Sequence, residues 1–258
     1  MRFLASVLGL WISATAALSD PDTDQLVDAM GMPALIRAFS LDGQESGAAL
    51  NAEFLNGQGG AVWAETVRKL YDPARLESEL RIGLAEALDP QVARTALMFF
   101  DSDLGQRLIT LEVQAREAML DKDVADMAKA VGTQAPAQVR EFIETRDLVE
   151  RNTDAALSAQ IAFFDGFAQA TNSQPTTRDT EGLHSAIASE TEIWLIGYYA
   201  LMQSALREGD LETYTDFWRT QVGVAVDDAV FEVFSASYAN LSFALGQAAG
   251  LLVPASEL

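Results

Sequence analysis

An all-α, multi-helix bundle built from two tandem, degenerate copies of one helical module is predicted by three features of the sequence. Apolar residues recur at steps of three and four, as on one face of a helix, most clearly in the series Leu97, Phe100, Leu104, Leu108, Leu111, Ala115 and Met119. No sustained run of alternating, β-branched residues bounded by hairpin turns occurs in the chain. The element Phe99-Phe100-Asp101-Ser102-Asp103-Leu104-Gly105 returns as Phe217-Trp218-Arg219-Thr220-Gln221-Val222-Gly223, an offset of 118 positions (99 to 217) that also pairs Leu108 with Val226, Leu111 with Ala229 and Ala115 with Val233.

With 258 residues, 49% hydrophobic and 21% charged, the chain has the apolar content to bury a full core and lies far from the composition of disordered proteins. The N-terminus orders Arg2, the apolar run Phe3 to Ile12 and the small residues Ala14-Thr15-Ala16 as a secretory signal peptide does, so residues 1–16 are read as a leader, with an end at 19 as the alternative. The run is shorter than the ~20 residues needed to span a bilayer. A periplasmic location follows as the expectation. Cysteine is absent, which excludes disulfides, thiolate chemistry and cysteine-ligated metals. The net charge of −21 opposes binding to nucleic acid and to an anionic bilayer face.

The first module is read as 20–135 and the second as 138–258. Asp20, Asp22 and Asp24 offer caps to a short helix around Gln25 to Met30; they imitate a calcium loop, but Gln25 stands where that loop needs glycine and Gly31 where it needs glutamate. Pro33 suits the first turn of the next helix, which carries Leu35, Ile36 and Phe39 and runs with interruptions towards Phe54. Gly57, Gly59 and Gly60 make a loop that lacks the lysine of a phosphate cradle. Helices follow at 61–70, at 73–88 and at 90–100, the last two announced by Asp72-Pro73 and Asp89-Pro90. Ser102 and Asp103 cap the next helix, and Gly105 marks a close backbone approach. One long helix is expected from Gln138 to about Ala170, another over 183–206, and after Asp210 the second copy of the module. Its final helix, 221–252, places Glu232, Ser235, Ala239, Ser242 and Gly246 on one stripe and apolar residues elsewhere, so it is expected to lie centrally or to meet a partner.

At the repeated element, and at Tyr71-Asp72-Pro73, the chain resembles the bacterial family catalogued as domain of unknown function 2059, in its periplasmic, alphaproteobacterial type. The resemblance covers about 71–120, with a degenerate second copy at about 194–238 in which Trp218 and Arg219 depart from the commoner pattern. It implies a helical fold and brings no catalytic residues. The motif residues it rests on, Phe99, Phe100, Ser102, Leu104, Gly105, Phe217, Trp218, Thr220, Val222 and Gly223, are read as structural.

Chemistry is thinly signalled. His184, the sole histidine, has Glu181 one turn before it, yet a metal bundle needs a second such pair. Gly43-Gln44-Glu45-Ser46-Gly47 is no nucleophile elbow, and Glu45-Ser46 with Ala200-Leu201-Met202-Gln203 imitates fragments of lytic transglycosylases at too great a separation. No cofactor, metal ligand or catalytic residue is assigned. The expected role is binding of a protein, a peptide or an apolar ligand, with a carboxylate-dependent envelope hydrolase or a structural homodimer as alternatives. Phe231, Phe234, Tyr238 and Leu241 are the candidate interface.

Overall fold

A computed structural model describes residues 21–131, 135–173 and 180–253; the expected leader lies outside them. The order is α1 (Pro21–Ala29), α2 (Met32–Phe54), α3 (Gly60–Leu70), α4 (Pro73–Ala87), α5 (Pro90–Phe100), α6 (Asp103–Ala118), α7 (Lys122–Lys129), α8 (Ala137–Thr145), α9 (Leu148–Thr171), α10 (Thr180–Gln203), α11 (Asp210–Trp218) and α12 (Gln221–Leu252). Among the described residues there is no strand, and no helix is long and apolar enough to cross a membrane.

Local chemistry sets most of these limits. Asp72 and Asp89 accept from the backbone N–H groups of Arg75 and Gln91, at 3.0 and 2.7 Å, while Pro73 and Pro90 occupy first-turn positions that need no donor. The same logic, overlooked in the sequence, starts the short α7: Asp121 accepts from Asp123 and Val124. In α1 the aspartates are engaged by arginines of the neighbouring helices. Asp22 pairs with Arg94 at 2.8 Å, and Arg81 binds Asp28 and the Asp24 carbonyl, so these residues form a docked helix and no calcium loop. The helix expected from 138 to 170 is two helices. Asp147 takes a left-handed conformation (φ 51°), which aspartate tolerates better than most residues, and the chain turns there without glycine or proline.

α9 and α12 form the central pair. They run parallel, since Arg151 meets Asp228 near their starts and Gly250 meets Ala170 near their ends. Their backbones touch: a Cβ at Gly246 would stand 1.8 Å from the Phe163 carbonyl oxygen, and one at Gly166 would stand 2.1 Å from that of Phe243. Ser242 and Gly246 of the small-residue stripe are buried, Gly246 against α9. α10 flanks α9, whereas α3, α4 and α5 pack on α12, so helices from both predicted modules share one core.

Residues 99–105 and 217–223, alike in sequence, make the same corner. Ser102 and Thr220 cap α6 and α12 with nearly equal backbone angles, accepting from the N–H of Gly105 and Gly223 at 3.0 and 2.9 Å and donating to the carbonyls of Phe99 and Phe217 at 2.6 and 2.7 Å. A Cβ at either glycine would strike the carbonyl oxygen of the first aromatic residue, at 2.2 and 2.3 Å. Phe100 and Trp218 are both buried, and the corners meet through Phe99 and Phe217, stacked at 4.0 Å. Leu104 and Val222 are half-buried beside them.

Candidate functional site

Glu112 lies on the buried stripe of α6, between Leu108 and Ala115, and is itself buried. A charge on an apolar helix face has to be answered by neighbours, because an unpaired buried carboxylate is costly. Tyr214 of α11 donates to one oxygen of Glu112 at 3.0 Å and Tyr199 of α10 to the other at 3.4 Å, while Tyr198 donates to the Glu112 backbone carbonyl at 3.0 Å. Burial pushes the Glu112 carboxyl up from its ordinary value, opposed by Arg146 and the Tyr214 hydroxyl. The three tyrosines are pushed up as well, first by burial and then by the Glu112 charge.

Arg146 closes α8 immediately before the left-handed Asp147. It grips Asp227 of α12 in a fork, Nη2 to Oδ1 at 2.6 Å and Nε to Oδ2 at 3.2 Å, with its guanidinium 4.0 Å from the centre of the Trp218 ring and 5.4 Å from that of Phe142. Burial works against that charge, and Asp227, with Tyr199 and Tyr214, more than restores it, holding Arg146 above the ordinary arginine value. A second arginine, Arg116 of α6, is ion-paired with Asp42 and lies 5.6 Å from the Trp194 ring centre.

Glu112, Arg116, Arg146, Tyr198 and Tyr199 line a cavity of about 280 Å³. Its walls come from α2, α4, α6, α9, α10 and α12: Phe39, Leu76, Leu80, Trp194, Phe234 and Leu241 are typical, and Glu112, Arg116, Arg146, Asn152, Tyr198, Tyr199, Ser237 and Tyr238 bring polar groups. Behind Glu112 and Arg146 lies a cavity of about 40 Å³ that Asp227 and Trp218 also line. Of Glu112 and Asp227, Glu112 alone lines the larger space.

Phe231, Phe234, Tyr238 and Leu241, read from sequence as an interface, all line the large cavity. Phe234 and Tyr238 pack edge-on against Phe39 at 5.1 and 5.6 Å. Residues 99–105 and 217–223 stand further off; of them Trp218 reaches only the smaller cavity. His184 faces Glu150 and Asp154 of α9. Sequence reasoning passed over Glu112, Arg146 and Asp227, although charged residues at helical spacing within the Leu108–Ala115 and Val226–Val230 stripes are a usable signal.

Folded Glu112 keeps its proton to higher pH than the unfolded chain does. The folded state therefore holds the extra proton between those two values, and stability falls as pH rises across that window. Glu112→Gln is expected to remove this slope. In urea unfolding from pH 4 to 8, the variant should gain on wild type as pH rises and converge with it below about 4.3, the ordinary glutamate value; parallel curves would show that folding leaves the Glu112 carboxyl unshifted.

No family model, no curated protein and no solved structure matches this chain.

Proposed function

We propose that the protein is an exported helical binding protein whose cavity takes an apolar small molecule bearing one uncharged hydrogen-bonding group. The observation that carries the reading is the mostly apolar and aromatic cavity with a few hydrogen-bonding groups in its wall, Glu112 and Tyr199 among them, the usual form of a small-molecule site. The charges there are already answered, Arg146 by Asp227 and Arg116 by Asp42, and burial favours neutral Glu112. An added charge would be desolvated without a free counterpart, whereas a hydroxyl or carbonyl can share the hydrogen bonds of Glu112 and Tyr199. Hydrolysis by paired carboxylates fits less well, because Asp227 is held by Arg146 and turned to the smaller space.

Ser237 lines the cavity from α12 and is half-buried. Ser237→Trp should fill the space. Wild type is expected to bind the neutral probe N-phenyl-1-naphthylamine saturably at one site, and the variant at least ten-fold more weakly with its helical circular dichroism retained. Equal affinity in a folded variant would overturn the proposal.

A further inference from the structure

Away from the cavity, three ligand-bearing side chains converge between α9 and α10. Glu150 and Asp154 stand one turn apart on α9, and His184 reaches them from the second turn of α10. Its Nε2 lies 3.4 Å from Glu150 Oε1 and 3.7 Å from Asp154 Oδ1, and one ligand atom from each residue falls within 4.8 Å of the others. We propose that Glu150, Asp154 and His184 form a site for a divalent transition ion of the zinc class.

Donor spacing supports this. A tetrahedral ion with bonds of about 2.0–2.1 Å to nitrogen and oxygen holds its ligand atoms roughly 3.3 Å apart. The two observed separations from Nε2 come within a few tenths of an ångström of that, so small side-chain rotations close the site. Two carboxylates and a neutral imidazole balance a dication. The imidazole selects against calcium and magnesium, which take six or more oxygen ligands and have only two side chains here to supply them. Carboxylates at i and i+4 on one helix present two ligands to the same point, the spacing by which zinc-binding helices place theirs. Arg151, the cation within this turn, is drawn aside to Asp228 at 2.5 Å and lies against the Phe231 ring, leaving the two carboxylates to face His184. Glu150 and Asp154 are exposed and His184 half-buried, so an ion can enter, and three protein ligands leave a fourth position for water.

The test uses the full chain freed of metal with a chelator and titrated with zinc chloride by calorimetry, with cobalt(II) as the visible-absorption probe. One ion per chain is expected. His184→Ala and the Glu150→Gln/Asp154→Asn pair should each weaken binding by more than the ten-fold that loss of an outer ligand partner produces, and should abolish the cobalt bands. All three positions are at the surface, so the variants should match wild type in circular dichroism and melting temperature when chelator is present. Absence of saturable zinc binding would overturn the site and leave an ion pair of His184. Zinc binding undiminished in His184→Ala would equally overturn it, by showing that scattered surface carboxylates hold the metal. Neither outcome bears on the apolar cavity, which His184 does not line.

Discussion

Asp227→Ala is expected to cost about 3–5 kcal/mol of stability, the range seen when one partner of a buried ion pair is removed. Arg146 is nearly covered, its side chain 11% exposed, and lies against the Trp218 and Phe142 rings. The fork to Asp227 is the interaction that answers its charge. Without it the guanidinium stays buried with Glu112 as its remaining anion, so ionisation of Glu112 becomes easier and the penalty should be greatest at low pH, where Glu112 is neutral. Asp227→Asn keeps hydrogen-bond acceptance and should lose less. Replacing both partners, Arg146→Met with Asp227→Leu, should recover most of the loss, because the pair is worth far less than the penalty for breaking it. Urea unfolding at pH 5 and pH 8 measures all three variants. A loss below about 1 kcal/mol for Asp227→Ala would place it in the range of exposed ion pairs and show that Arg146 is solvated.

The contrast between what the sequence shows and what it hides follows from range. Caps and proline starts act within four residues, so Asp72, Asp89, Ser102 and Thr220 mark the helix starts at α4, α5, α6 and α12 directly. The extent of α12 reads equally well, because no proline interrupts its apolar pattern. The break between α8 and α9 is hidden because it rests on one left-handed aspartate, with no glycine or proline to mark it. The site is hidden for the same reason. Glu112, Arg146 and Asp227 come from three helices, and among 38 acidic residues nothing in composition marks Glu112 and Asp227 as buried. Trp194, Tyr198, Phe234 and Tyr238 read as ordinary apolar helix faces, and whether such a face fills a core or lines a space depends on how far apart the neighbouring helices stand. His184 shows the limit again: its sequence neighbour Glu181 is the obvious partner on one helix, but the fold sets α9 carboxylates before it.

Gly246→Ala is expected to be the most disruptive single-methyl change at the centre of the fold, at about 3 kcal/mol, the upper end of the usual range for overpacking. The added Cβ would lie 1.8 Å from the Phe163 carbonyl oxygen and 3.0 Å from the Phe167 nitrogen, which are backbone atoms inside α9. A side chain can rotate out of the way; a hydrogen-bonded helix backbone cannot, so α9 and α12 must separate. Separation forfeits close contact along a helix pair about 36 Å long, and for a chain of this size the loss should lower the melting temperature by about 6–12 °C. Gly83→Ala is the control, since its Cβ would meet only the Val233 side chain, which can shift, and its cost should be clearly smaller. Gly166→Ala attacks the same interface from α9, where the Cβ would lie 2.1 Å from the Phe243 carbonyl oxygen. Once either alanine has forced the helices apart, the second meets less resistance, so the Gly166→Ala/Gly246→Ala pair should cost less than the sum of the singles. Thermal melts of the four proteins test this, and strict additivity, or a Gly246→Ala melting point within about 2 °C of wild type, would show that the two backbones do not touch.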